Sequence, residues 1–251
     1  MRDQPTSELT QGDNAHSQQR IVMPRLLDLF CCEGGAGQGY RNAGFDVTGV
    51  DIKAQPRNPH RFILGDAIEY ANAHAKEYAA IHASPPCQSY STAMKHLAKP
   101  QPMLIGIVRE ILKASGKPWV IENVKGAPLA EWSDLFGRHG VVLCGTAFKL
   151  RIYRHRIFET SFALPSAPPC DHSKHAMNPH RSEGRERIYA EWGRQEPEKL
   201  WAKEMGVSWM SRHGAREAVP PCYTAWIGKH LLDHLARHNA CVSHDGLTTH
   251  K

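Results

Sequence analysis

The amino-acid sequence predicts an α/β protein, a doubly wound and mostly parallel sheet that carries a small irregular insertion. Three observations predict it. Apolar runs of strand length alternate with helix-period segments from Arg25 onward. Polar or Gly-rich clusters fall where each apolar run ends. The alternation stops after about Phe158, and Pro, His and Arg crowd residues 160–216.

The elements follow in order. Leu26 to Phe30 reads as a strand, then a Gly-rich turn and a helix through Tyr40 to Ala43. Val47 to Val50 is a second strand ending at Asp51, and Arg61 to Leu64 a third, followed by Gly65-Asp66. Tyr78 to Ala83 is a fourth, ending at Ser84-Pro85-Pro86-Cys87. Pro102 to Ser115 has helical spacing, and Trp119 to Ile121 is a fifth strand before Glu122-Asn123. Thr224 to His238 returns to helical spacing, with Trp226, Ile227, Leu231, Leu232 and Leu235 on one face. In such sheets ligands sit beyond the carboxyl ends of the strands. The boundaries expected are a disordered leader (1–22), a cofactor-binding catalytic domain (23–159), a recognition insertion (160–216), a return helix (217–240) and a tail (241–251).

Composition narrows the function. A hydrophobic content of 41% and a charged content of 22% are globular values. The longest apolar runs, such as Leu104 to Val108, are too short for a bilayer. The polar leader has no apolar core, and seven scattered cysteines fit a reducing compartment. A cytoplasmic protein is expected. Residues 138–216 hold 14 Lys and Arg against 8 Asp and Glu, which accounts for the whole net charge of +6. A basic stretch confined to one segment suggests a polyanion-facing surface, although an ordinary solvated face has the same composition.

The chemistry gathers at the strand ends. Glycines in the turn Cys31-Cys32-Glu33-Gly34-Gly35-Ala36-Gly37 allow backbone amides to approach a ligand, and a helix N-terminus favours a negative group. Asp51 stands where an acidic residue holds ribose hydroxyls, and Asp66 could accept from an adenine amino group. An Asp at one strand end is commonly a cap. Ser84-Pro85-Pro86-Cys87-Gln88 is the sharpest signal, because two prolines fix the backbone and present a thiol at a strand end. Carbon 5 of cytosine is a poor nucleophile, so a thiolate must first add at carbon 6 to make an enamine that attacks an electrophilic methyl. That addition needs a proton near N3, and Glu122 at the next strand end can supply it if burial raises its pKa.

The order Phe30 to Gly37, Asp51, Asp66, Pro85-Pro86-Cys87-Gln88, Glu122-Asn123-Val124 and Arg154-His155-Arg156 resembles the DNA cytosine-5 methyltransferase family. The resemblance covers residues 25–160, and 217–236 more loosely. It implies a Rossmann-like fold, S-adenosyl-L-methionine as cofactor and double-stranded DNA as partner. Phe30 and Ile52 would flank the adenine, with Asp51 on the ribose and Asp66 on the amino group; Gly34, Gly35, Gly37 and Pro85 would complete the cofactor site. Cys87 would be the nucleophile, Glu122 the N3 partner, and Arg154 and Arg156 would hold the catalytic loop and the flipped cytosine. Residues 160–216 would recognise the target, with Arg181, Arg185 and Arg187 mainly on phosphates. Cys31-Cys32-Glu33 depart from the family's usual first motif, and Ile152 stands where it usually has Gln. Short virus-encoded members look similar in these respects, which points to a phage-type enzyme.

Three other classes fit less well. Amino-group methyltransferases put an aromatic where Cys87 stands, and zinc deaminases need a Cys-x-x-Cys that Cys87-Gln88-Ser89-Tyr90 lacks. A silent DNA-binding module would be expected to lose Cys87 or Glu122. RNA as substrate stays open. Cys170-Asp171-His172, His175 and His180 offer metal-ligand types, with Cys144 or Cys222 to complete a set. No fourth partner stands out nearby, so no metal is expected. Trp192, Trp201 and Trp209 read as a small core of the insertion.

Overall fold

Parallel strands buried on both faces account for the near-continuous apolar runs that begin after Arg25. The computed structural model describes residues 22–86, 104–130, 139–173, 175–176, 186–187 and 202–245. Cys87, His180, Arg181, Arg185, Trp192 and Trp201 lie outside them. The sheet has seven strands: β1 (Arg25–Leu29), β2 (Asp46–Asp51), β3 (Arg61–Leu64), β4 (Ala80–Ala83), β5 (Trp119–Val124), β6 (His139–Leu143) and β7 (Arg156–Thr160). Their order is β3-β2-β1-β4-β5-β7-β6. β3, β2, β1, β4 and β5 run parallel, whereas β7 is antiparallel to both β5 and β6. The order reverses between β1 and β4, so a crevice opens beyond their carboxyl ends. The doubly wound, mostly parallel sheet is thus present.

The β6–β7 pair was not foreseen, and its short strands sit among Arg and His. Strand β5 also runs past Ile121, so Glu122 and Asn123 are ladder residues paired with Phe158 and Ile157. This rigid seat fixes the direction of the Glu122 side chain. Helix α2 (Ala67–His74) fills a stretch that carries little periodicity of its own.

Helices cover both faces. α1 (Gly35–Ala43) and the long α5 (Pro221–Asp245) pack on one side over Leu26, Phe45, Val47, Val120 and Phe158. α2 and α3 (Leu104–Ser115) cover the other over Leu27, Leu29, Ile81, Trp119 and Ile121. Fully burying one such Leu or Ile stabilises by about 1.5–3 kcal/mol, so a two-faced core is the main cohesive term. α1 and α5 approach almost backbone to backbone: a Cβ at Gly39 would stand 2.1 Å from the Pro221 carbonyl oxygen. Only glycine fits there. On the opposite face Arg109 of α3 is tied to the fully buried Glu159 of β7 through Nε at 2.6 Å.

Part of the predicted insertion packs on the sheet domain. Ala202, Met205, Val207, Met210, Ala215 and Ala218 form a third apolar cluster with Ile152. It includes the short helix α4 (Arg212–Glu217), which Ser211 caps by accepting from the Gly214 amide. No helix among the described residues is long and apolar enough to cross a membrane.

Candidate active site

The turn after β1 is held in unusual backbone. Phe30 has φ 58° and Cys32 φ 45°, in the left-handed region that non-glycine residues enter at a cost of about 1–3 kcal/mol each. What holds them there is local hydrogen bonding. The Cys32 amide donates to Asp51 Oδ2 at 3.0 Å, and the Lys53 amide to Asp51 Oδ1 at 2.9 Å. Asn58 Nδ2 donates to the Cys32 carbonyl at 3.0 Å, and the Asn58 side chain accepts from the His60 amide. A Cβ at Gly34 would meet Asn58 Oδ1 at 2.8 Å, and one at Gly37 would meet the His60 ring at 2.8 Å. The glycines are therefore demanded by the approach of the 58–60 loop. Sequence reasoning missed Asn58 and His60, since neither belongs to a motif.

Glu33, one of the departures from the family pattern, has a structural task. Its carboxylate accepts from the Ser211 amide at 2.6 Å and the Ser211 hydroxyl at 2.5 Å, and its carbonyl accepts from Trp209 Nε1 at 3.0 Å. The turn after β1 is thus pinned to residues 209–211. Trp209 joins the insertion to the sheet domain by this contact.

Asp66 caps α2, accepting from the Ile68 and Glu69 amides through Oδ1. Its Oδ2 takes no hydrogen bond among the described residues. Ile52, beside Asp51, is 69% exposed, an uncommon state for a large apolar side chain. Asp28 is the anomaly. It is fully buried, and neither carboxylate oxygen has a hydrogen-bond partner among the described residues. Burial pushes its carboxyl up to about 8; the Gly37 amide, short of hydrogen-bonding geometry, pulls it down, while Asp51 and Glu122 push it further up.

That placement carries a stability prediction. A folded pKa above the unfolded one favours the folded state fully below about pH 4 and loses that advantage as pH rises through 8. Wild-type stability should therefore fall between pH 5 and pH 8.5, and Asp28→Asn should remove the part of the fall that Asp28 causes. The expected difference above pH 8 is about 5 kcal/mol in favour of the Asn variant. Urea denaturation at pH 5 and pH 8.5 reads it directly; parallel losses in both proteins would refute the assignment.

β5 and β7 bring the second half of the site together. Their register sets Glu122 opposite Phe158, which puts Arg156 on the diagonal of the same face. Arg156 Nε lies 3.1 Å from Glu122 Oε1, and both are almost completely buried. Burial pushes the Glu122 carboxyl up, against the pull of Arg156, the Ser84 hydroxyl and Arg154. The next residue, Asn123, donates through Nδ2 to the Pro85 carbonyl at 2.8 Å. The Pro85-Pro86 segment is thereby tied to the strand that carries Glu122. Ser84 Oγ is 2.9 Å from His82 Nε2, and His82 Nδ1 is 3.0 Å from the Tyr40 hydroxyl. Burial pushes the His82 imidazole down to about 3, so it stays neutral at physiological pH. This interior chain behind Glu122 was invisible in the sequence, because its members come from α1, β4 and the loop after it.

Arg154 has a different neighbourhood. The residue is 1% exposed, and its guanidinium donates to the carbonyls of Ala218 at 2.8 Å and Arg216 at 2.7 Å, while its own carbonyl accepts from the Tyr223 hydroxyl. It clamps the chain that leads into α5. His155, between the two arginines, lies with Cys144, Cys170 and His172, whose ligand atoms are all within 4.8 Å of one another. His155 is thus the partner missing from the sequence reading of Cys170-x-His172. Burial pushes the Cys144 thiol up, but hydrogen bonds to His155, Thr146 and His172 outweigh it and bring it to about 6. A broad hollow at the opposite end of the sheet, lined by Pro24, Arg109, Lys113, Lys117 and His234, holds none of these groups.

A seven-stranded sheet ordered in this way, with acidic residues at successive strand ends, is the fold of S-adenosyl-L-methionine-dependent methyltransferases. Solved structures agree. The S. pombe Dnmt2 methyltransferase superposes with a TM-score of 0.54 at 13% identity, covering 85% of this chain and 99% of its own. The Entamoeba histolytica methyltransferase EhMeth gives 0.53 at 13% identity with the same coverage. In sequence, the type II methyltransferase M.AquIA of Picosynechococcus sp. is 30% identical over 169 residues, 56% of this chain and 67% of its own length. No family model matches the chain. The chain belongs to the DNA (cytosine-5) methyltransferase family and is a methyltransferase.

Proposed function

We propose that the protein transfers a methyl group from S-adenosyl-L-methionine to carbon 5 of a flipped cytosine in duplex DNA, through a covalent Cys87 adduct. The observation that carries the reading is the buried Glu122–Arg156 pair beside the Asn123–Pro85 tie, which links the acid to the segment leading into Cys87. Glu122 has the raised pKa that a proton donor to N3 needs. Arg156 holds its carboxyl in one orientation, and addition of the Cys87 thiolate at carbon 6 then meets a proton at N3 instead of building negative charge.

The residues present fit an adenosyl group. Each Asp51 oxygen accepts one amide and keeps a second acceptor position for a ribose hydroxyl. Asp66 Oδ2 is available for an exocyclic amine, and Ile52 and Phe30 offer apolar surface at the same strand ends. The cofactor would supply the electrophilic methyl. Residues 34–37 and Pro85 would border it, and 160–216 would recognise the target.

Asp51→Ala should weaken S-adenosyl-L-methionine binding by roughly 1.5–3 kcal/mol, the usual worth of hydrogen bonds to a charged group. Calorimetry showing unchanged affinity would remove Asp51 from the site. The function itself is tested by tritium transfer from labelled cofactor to duplex DNA and to RNA, beside bisulfite sequencing of DNA from expressing cells. Label in DNA and protected cytosines are expected. Transfer to RNA alone would overturn the DNA assignment.

A further inference from the structure

We infer that Cys144, His155, Cys170 and His172 form a structural zinc site that fastens the chain after β7 to the outer edge of the sheet. Each side chain offers one ligand atom, and the four atoms lie within 4.8 Å of one another. Cys144 Sγ is already 3.3 Å from His172 Nε2. A tetrahedron with Zn–S about 2.3 Å and Zn–N about 2.0–2.1 Å has edges of roughly 3.5 Å, so small side-chain rotations close the set. The donors argue for the metal's identity. Two thiols and two imidazoles suit zinc, whereas magnesium and calcium want oxygen. Protein fills all four positions, which is the pattern of a structural site.

The fold explains why these four meet. Leu143 pairs with Arg156 at the end of the β6–β7 ladder, so the next positions out on the two strands are Cys144 and His155. The chain then leaves β7, runs without regular structure and returns with Cys170 and His172. A local turn shapes the returning pair: Asp171 Oδ1 accepts from the Ser173 amide at 2.9 Å and its hydroxyl at 2.6 Å. Tyr153 packs its ring 4.3 Å from that of His172, restricting the imidazole as an outer-shell neighbour would. Cys170 and His172 are exposed, so apolar burial does not hold them there. A metal would, and it would place the start of the 160–216 insertion next to Arg154 and Arg156.

The test is metal content, which needs no activity. Purified full-length protein, desalted and analysed by inductively coupled plasma mass spectrometry, should carry about one zinc per chain. Replacing zinc by cobalt(II) should give the intense visible absorption of tetrahedral thiolate coordination. Cys170→Ser and His172→Ala, both at exposed positions, should lose at least about nine-tenths of the metal while circular dichroism stays unchanged. Cys222→Ser, outside the cluster, should retain it. Wild-type protein that holds no zinc and gives no cobalt spectrum overturns the proposal. So does metal retained by Cys170→Ser, or a Cys144–Cys170 disulfide found by mass spectrometry in the protein as isolated.

Discussion

Cys87→Ala is expected to lower methyl transfer by roughly 10⁴-fold or more, the scale on which removal of a covalent nucleophile acts. Carbon 5 becomes nucleophilic only after addition at carbon 6, so no remote contact can compensate for the lost thiolate. Cofactor affinity should stay nearly unchanged, because, Pro85 apart, the groups proposed to hold it lie at the ends of β1, β2 and β3. Duplex DNA carrying 5-fluorocytosine should trap the wild-type protein as a denaturant-resistant adduct, since the fluorine blocks the elimination that releases the enzyme. Peptide mapping should place the adduct on Cys87. Label on Cys31, Cys32 or Cys222, or residual transfer by the Ala variant, would end the assignment. Burial pushes Cys31 and Cys32 far above the ordinary thiol range and Cys222 up to about 12, so none of these three is a thiolate near neutrality.

Glu122→Gln is expected to reduce turnover by about 10²–10⁴-fold, the usual contribution of a positioned acid. Gln keeps the shape and a hydrogen-bond donor but has no proton to give. The pH dependence separates this from a structural effect. Because burial raises the Glu122 pKa, the acid form persists to higher pH than an exposed Glu would allow, and wild-type activity should decline as pH rises through that folded value. The same shift means that any stability linked to Glu122 is present at low pH and lost with rising pH. Single-turnover rates from pH 5 to pH 9 should show the decline in wild type and a flat, low profile in Glu122→Gln. Two parallel profiles would assign Glu122 a structural role with Arg156. Thermal denaturation serves as the control, because the variant leaves Arg156 buried without its counter-charge.

The legibility of this chain follows its physics. Leu26 to Phe30, Val47 to Val50 and Trp119 to Ile121 read as strands because both faces of a parallel sheet must be apolar. Asp51, Asp66 and Glu122 stood out because a charged residue ending such a run has to serve as a cap or a site. The helix read over 224–238 proves longer at both ends; at its start the fully buried Tyr223 belongs to the core, but the Pro220-Pro221 pair hid the helix start. β7 escaped notice because Arg156 and Glu159 look like surface residues. Each is instead buried against an oppositely charged side chain, Glu122 from the neighbouring strand and Arg109 from a distant helix.

The sequence alone therefore determined the sheet class, the positions of the strand-end acids and the Pro-Pro-Cys and Glu-Asn-Val motifs, all of which depend on local patterning. Tertiary structure decided what pairs with what. Glu33 to Ser211, Arg154 to Ala218, Tyr40 to His82, and Cys144 and His155 to His172 join segments separated by up to 178 residues. Such partnerships have no period and no spacing rule. They exist because the β-order reversal and the antiparallel β7 bring those chain segments to one end of the sheet, where buried polar groups must find partners or remain, like Asp28 among the described residues, without them.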